Sequence, residues 1–423
     1  MDLVALSNGL HGSVQMDSVA LFSWIGWLRH HGIFNYSILD KYDRLNPTKV
    51  EELIMTVQPS FKYDVVGSFL RPDYLKKARE EFANKTIDAK QLKAIEDKAI
   101  LELVAKEKEV GLQAVTDGEF RRRYWHLDFL ADLDGVEEIK ADHWSVHFKG
   151  HQPKAATLKI TDKIDFGNHP FVEHFKYLQS IGQGTLCKMT IPSPSMLHLI
   201  CCVRSEEYTP IERYKDEKEL YHDIAIAYQK AIRAFYDAGC RYLQLDDTSW
   251  GEFCDANKRK AYKERGLDLD KIAKSYVDMI NLALEAKPED MTITMHICRG
   301  NFRSTWFSSG GYEPVAKILF GQCKVDGFFL EYDSERSGDF SPLRFIKDQK
   351  VVLGLITSKF AELEDKEEVK KRIQEAEQYV KKEQLCLSPQ CGFSSTEEGN
   401  IMTEDEQWVK VKLVKEIAEE VWR

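Results

Sequence analysis

The chain has 423 residues, 43% hydrophobic and 30% charged, a globular composition that excludes a disordered polymer. Acidic residues outnumber basic ones 69 to 59, for a net charge of −10, which disfavours a nucleic-acid backbone as partner. No apolar run reaches the ~18 residues of a membrane helix, the longest being residues 19–28, so no membrane association is expected.

Residues 1–55 show no strand–helix alternation; Trp24, Trp27 and Phe34 lie among Gly- and His-rich turns, and an N-terminal extension is expected there. Residues 56–423 are expected to form one catalytic domain. Its β-prone runs fall at 63–66, 113–116, 186–191, 242–245, 292–296, 327–330, 351–355 and 385–387. Apolar residues at helical spacing follow most of them, over 89–110, 220–238, 269–286, 366–382 and 404–422. Residues 120–183 interrupt this rhythm as an insertion after the second strand, with β-hairpin or meander segments at 136–139, 145–148 and 157–160. Strand–helix units repeated in this way predict an α/β fold, a parallel (β/α)8 TIM barrel whose chemistry sits on the loops at the strand C-terminal ends. An open doubly wound sheet is the alternative.

Nine cysteines is an odd number for a disulfide framework, and no basic segment or small-residue cleavage site frames the 19–28 run as a signal peptide. Reduced thiols and a cytoplasmic location are therefore expected. Cys187, Cys201, Cys202, Cys240, Cys254, Cys323 and Cys386 read as small buried hydrophobes. Cys298 and Cys391 do not.

In His296-Ile-Cys298, at the end of the fifth predicted strand, residues i and i+2 point the same way and can hold one ion together. Glu331 ends the sixth predicted strand and Cys391 follows the eighth. Barrel closure would gather imidazole, two thiolates and a carboxylate on one face, a four-ligand shell suited to zinc. Two thiolates keep such a metal electron-rich, fit to bind another thiolate rather than to polarise water. A packed core His–Cys pair and a structural Glu331 ion pair remain the plain alternatives.

Six spaced pieces then carry a resemblance. Val66-Gly-Ser68-Phe, Thr116-Asp-Gly-Glu119-Phe, Leu243-Gln-Leu-Asp246-Asp, Met295-His-Ile-Cys298, Phe329-Leu-Glu331 and Leu387-Ser-Pro-Gln-Cys391-Gly appear in the order found in the cobalamin-independent methionine synthase family. Residues 61–423 resemble its catalytic barrel standing alone, with no counterpart to the family's N-terminal barrel. The resemblance implies zinc-dependent methyl transfer to homocysteine, forming methionine. It places His296, Cys298, Glu331 and Cys391 on the zinc ligands, Gly67 and Ser68 at the homocysteine carboxylate, Glu119 at the amino acid moiety and Asp246 at its amino group.

Taken singly, Gly67-Ser68 also reads as a turn, Glu119 as a partner of Arg121 or Arg122, and Asp246 or Asp247 as a helix cap. Two departures bear on the donor. Lys359 stands where the family carries a proton-supplying histidine, and the run Ile191-Pro-Ser-Pro-Ser-Met196-Leu-His198 lacks the family's pterin-stacking tryptophan. The donor is therefore methyltetrahydrofolate or another methyl compound. The alternatives are a thiol alkyltransferase resembling epoxyalkane:coenzyme M transferases, whose sulfonate acceptor Arg71, Arg121, Arg122 or Arg123 would meet, and a non-catalytic zinc protein. A homo-oligomer is compatible with all of these.

Overall fold

The computed structural model describes residues 62–140 and 156–422. The expected extension at 1–55 and the predicted strand at 145–148 lie outside the described residues. In chain order the principal elements begin with helices α1 (Asp73–Ala83) and α2 (Ala89–Val110), strand β1 (Ala114–Val115), strands β2 (Asp134–Lys140) and β3 (Ala156–Asp165), and helix α3 (Pro170–Gly182). Then come β4 (Leu186–Pro192), α4 (Glu217–Asp237), β5 (Tyr242–Asp247), α5 (Leu269–Leu284) and β6 (Thr292–Ile297). The chain ends with α6 (Glu313–Gln322), β7 (Gly327–Glu331), β8 (Lys350–Ile356), α7 (Lys366–Ala376), β9 (Leu385–Pro389) and α8 (Glu404–Val421).

Seven strands pair in parallel in the order β1-β4-β5-β6-β7-β8-β9. The segment 62–66 takes the eighth place. Tyr63 bridges Leu387 in parallel, Asp64 N donates to the Leu387 carbonyl at 3.0 Å, and Leu387 N donates to the Lys62 carbonyl at 3.0 Å. On its other side Phe69 N reaches the Gly118 carbonyl at 3.2 Å, and the Thr116 hydroxyl donates to the Gly67 carbonyl at 2.9 Å. The curled sheet thus closes as the predicted barrel. The first predicted strand shrinks to a single bridge because side chains take over its carbonyls: Lys188 Nζ donates to Val65 O at 2.6 Å and Gln244 Nε2 to Val66 O at 2.8 Å.

The strands of the parallel sheet are buried on both faces, as those of a sheet covered by helices outside and filled by side chains inside must be. The main core lies between sheet and helices, while Val66, Phe329, Val352 and Cys386 pack separately. Among the buried strand side chains is a charged one that the sequence reading did not single out. Lys188 Nζ contacts Asp64 Oδ2 at 3.3 Å and lies 4.2 Å from the Phe329 ring centroid, and Tyr242 donates to the same Asp64 oxygen at 2.6 Å.

Helix ends follow local chemistry. α2 begins at an Asp88–Gln91 capping box and stops at Gly111, whose φ of +86° suits a residue without Cβ. α8 begins at a Thr403–Glu406 capping box. Two boundaries differ from expectation. α3 buries Phe171, Phe175 and Leu178 and packs on α2 and β4, so it belongs to the barrel and not to the insertion, which is the antiparallel β2–β3 pair. α7 ends at Ala376 rather than at 382, because the chain turns there and buries Val380 on the way to β9.

Glu107 of α2 is fully buried beneath β1. Its two oxygens each lie 3.1 Å from Thr116 N, and Oε1 lies 3.2 Å from Thr116 Oγ1. That hydroxyl has one hydrogen, already given to Gly67, so the short contact calls for a proton on Glu107. Burial pushes this carboxyl well above its ordinary 4.5. The folded chain therefore holds a proton that the unfolded chain releases, and Glu107 lowers stability as pH rises past about 4.5. Denaturant titrations at pH 5 and pH 8 should find Glu107→Gln little changed at pH 5 and flatter with pH. Glu107→Ala should lose about 1–3 kcal/mol at either pH. An unchanged pH slope in Glu107→Gln would mean that the group is ionised.

Candidate metal centre and ligand pocket

The strand register sets the site. Asp246 of β5 pairs with His296 of β6, His296 with Phe329 of β7, and Glu331 with Gly354 of β8, which brings the strand C-terminal ends level. His296, Cys298, Glu331 and Cys391 are all buried there, with one ligand atom from each lying within 4.8 Å of the others. The two sulfurs are 3.7 Å apart. Gly300 N donates to Cys298 Sγ at 3.3 Å. Arg299 N donates to Glu331 Oε1 at 2.9 Å and Arg336 Nη2 to Oε2 at 2.9 Å, which aims the carboxylate.

The ionisable groups of this cluster act strongly on one another. Cys391 beside it pushes the Cys298 thiol well above the ordinary range. Cys298, followed by His296, pulls Cys391 well below it. Burial opposes ionisation of Glu331, but the charges of Lys359, Arg336 and His296 outweigh it and lower its pKa. Burial likewise opposes charge on His296, yet Cys391, Asp246 and Glu331 raise it. Neither His296 ring nitrogen has a hydrogen-bond partner, although both are buried. One nitrogen, two sulfurs and one oxygen converging in a buried place fit a four-coordinate divalent ion of borderline softness.

The cluster opens into a pocket whose other walls include Ser68, Glu119, Arg122, Trp125 and Asp246. Gly67 turns the chain toward it. A Cβ there would lie 2.7 Å from Thr190 Cγ2 and 3.0 Å from Glu119 Oε1, so only glycine fits. Ser68 Oγ accepts from Ser394 N at 3.2 Å. Glu119 has φ of +59°, unusual for a non-glycine, and its N donates to Asp117 Oδ1 at 2.8 Å. Its carboxylate pairs with Arg122, yet burial outweighs that pull and raises its pKa. Burial, followed by the charge of Glu119, pushes Asp246 up to about 7. The pocket thus holds two acids and one paired base, an environment that favours a ligand bringing a positive charge.

Of the four arginines singled out, Arg122 alone lines the pocket among the described residues. Arg71 is buried against backbone carbonyls, Arg121 pairs with Glu96 and Asp97, and Arg123 with Glu138 and Asp128. Asp247, not Asp246, holds the following turn, accepting from Ser249 N at 2.7 Å. Lys359 lies just after β8, buried, with no hydrogen-bond partner for Nζ. It is absent from the pocket lining, and its charge is felt by Glu331 and Cys298. The sequence reading assigned no role to Trp125 or Arg336. The Glu119–Arg122 spacing was a visible signal for one pair; nothing local marks the other two residues.

Removing one partner of the buried Glu119–Arg122 pair strands the other charge. Arg122→Met should cost about 3–5 kcal/mol in denaturant unfolding, with part recovered by adding Glu119→Gln. Additive losses would mean that the pair is not coupled.

Comparison with known proteins agrees with this geometry. The family described as cobalamin-independent synthase, catalytic domain, matches residues 61–419. YxjG, an uncharacterized protein of Bacillus subtilis (strain 168), is 49% identical over 369 residues, covering 86% of this chain and 96% of that protein. A methionine synthase of Saccharolobus solfataricus is 24% identical over 362 residues, 80% of this chain and 90% of that one. A crystal structure from Listeria monocytogenes, described as a candidate vitamin-B12-independent methionine synthase, is 45% identical with a TM-score of 0.68, covering 86% of this chain and 98% of that chain. With a barrel whose strand ends carry this donor set and a family match over most of its length, the chain belongs to the cobalamin-independent methionine synthase family, as its catalytic domain.

Proposed function

We propose that this chain, through residues 56–423, is a zinc-dependent methyltransferase that moves a methyl group onto the thiol of homocysteine, forming methionine. The observation that carries the reading is the buried His296–Cys298–Glu331–Cys391 donor set facing the Glu119–Asp246 acid pair across one pocket. Homocysteine presents a thiol at one end and an ammonium and a carboxylate at the other. The thiol suits the sulfur-rich donor set, the ammonium suits the acid pair, and the turn at Gly67-Ser68 offers backbone and hydroxyl groups to the carboxylate. A sulfonate acceptor would need a free cation, and Arg122 is already paired with Glu119.

His296, Cys298, Glu331 and Cys391 would hold the zinc, which would lower the pKa of an incoming thiol so that it could react as thiolate at neutral pH. In the transfer the carbon–sulfur bond forms as the bond from methyl to the donor atom breaks. If that atom is the nitrogen of methyltetrahydrofolate, it must take up a proton as it leaves. Lys359 is the residue proposed to bring that proton, which its buried, unpartnered ammonium supports. Its influence on Glu331 favours a second role, steadying the metal carboxylate. No disulfide joins any of the nine cysteines, all of them among the described residues, which accords with a reducing compartment, and the cytoplasm is the proposed location.

Metal analysis of the purified chain should find one zinc per chain, largely lost in Cys298→Ser and in Cys391→Ser. Zinc-edge spectroscopy should gain a sulfur neighbour when homocysteine is added. Full zinc in both variants would remove the site, and an unchanged edge would make it structural.

Lys359→Ala separates the two lysine roles. Loss of a proton donor keeps zinc and slows transfer from a folate donor on the order of 10²-fold, while sparing an activated donor that needs no protonation. Loss of carboxylate support instead lowers zinc retention. Equal slowing with both donors and full zinc would exclude both roles. A panel of mono- and polyglutamyl methyltetrahydrofolate, methylcobalamin and S-methylmethionine, with methionine measured, identifies the donor.

A further inference from the structure

We infer that Gln244 is a positioning residue that holds Asp246 for the ammonium of an amino acid ligand; the inference rests on the reading of the pocket given above. Gln244 lies two residues before Asp246 on β5, so both side chains point to the same side of the strand, toward the barrel interior. Gln244 is fully buried. Its amide nitrogen donates to Asp246 Oδ1 at 2.8 Å and to the Val66 carbonyl at 2.8 Å. Those two acceptors belong to two different segments that line the pocket: Asp246 at the end of β5, and Val66 immediately before the Gly67-Ser68 turn.

The two amide hydrogens are therefore both spent, one on each segment. The orientation of the amide follows from its partners. Turned over, it would set Oε1 against a carbonyl and a carboxylate, two acceptors it cannot bond. As it stands, Oε1 has no partner, although it is buried. A residue kept for packing alone would not leave a buried polar atom unsatisfied in this way. The arrangement is compatible with selection for the two donor contacts, with the idle oxygen as their cost.

The consequence for a ligand is geometric. Gln244 engages Oδ1 of Asp246, a residue of the pocket lining, and leaves Oδ2 for a ligand. Glu119, its carboxylate held by Arg122, lines the same pocket, so a ligand ammonium between them meets two carboxylates of fixed direction. The same amide sets the spacing between this acid pair and the Gly67-Ser68 turn. That spacing is the one a ligand with adjacent ammonium and carboxylate groups must match. Neighbouring Lys188 does the parallel job one residue earlier, holding the Val65 carbonyl at 2.6 Å. It makes no hydrogen bond to Asp246, so the link from the turn to the acid belongs to Gln244 among the described residues.

Calorimetric binding to the full-length zinc-loaded chain tests this with two probes, homocysteine and 4-sulfanylbutanoate, which lacks the ammonium. Zinc content is measured alongside. Gln244→Met should weaken homocysteine on the order of tenfold, as loss of a hydrogen bond to a charged group does, leave the deaminated thiol within about twofold, and keep full zinc. In an Asp246→Asn background the same change should add little, because Gln244 acts through that carboxylate. If Gln244→Met does not fold, Gln244→Asn, which keeps an amide too short to span both acceptors, should give the same selective loss. Equal weakening of both probes, or losses that add fully to those of Asp246→Asn, would overturn the Gln244 assignment alone. A wild-type chain with no preference for homocysteine over the deaminated thiol would overturn the reading of the pocket, and this assignment with it.

Discussion

One buried guanidinium holds the loops of the site together. Arg71 follows the Gly67-Ser68 turn and is almost wholly excluded from solvent. It donates to the carbonyls of Glu119 and Arg122 at 2.7 Å each, to Ser394 Oγ at 2.7 Å and to the Thr396 carbonyl at 3.2 Å. These acceptors sit on the loops that carry the acid–base pair and Cys391. Backbone carbonyls, not a carboxylate, satisfy the charge, so the geometry of three loops converges on one planar fork. Burial, with Arg122 and Arg79 nearby, pushes its pKa down to about 9.

Around that anchor the site divides by charge. On the metal side, anionic donors converge, and cations stand behind them: Arg336 bonded to Glu331, and Lys359 acting on it through space. On the ligand side, Glu119 and Asp246 are short of positive charge, with Arg122 committed to one of them. On the reading proposed above, a divalent ion would complete the first half and a ligand ammonium the second, so that a zwitterionic thiol would suit both. The strained backbone at Glu119 and the obligatory glycine at 67 lie at the seam between the halves, where local strain is held in place by surrounding structure.

The barrel itself was legible because its elements are locally consistent. Strands such as Tyr242–Asp247 and Gly327–Glu331 are short and flanked by polar loops, and α2 carries its stop and start signals in Asp88, Gln91 and Gly111. Its first strand, expected at 63–66, takes its place in the barrel through one bridge and two backbone hydrogen bonds to Leu387 and through the side chains of Lys188 and Gln244, all of them far away in the chain. The antiparallel β2–β3 pair was visible as alternation, but where the insertion ended was not, because α3 shows its role only by packing on α2.

By itself the sequence determined the order of strands and helices, the four donor residues at strand ends and the spaced motifs of the family. These depend on residue type and local spacing, which are written along the chain. The tertiary structure alone decided which charges meet. Arg71 went to carbonyls and Arg121 to α2, while Arg122 went to the pocket and Lys359 came within reach of Glu331 for its charge to act on that carboxylate. Consecutive arginines look alike in one dimension. Their partners are set by burial and by which loops the closed sheet brings within reach, and a charge taken out of water must pair with whatever acceptor is near.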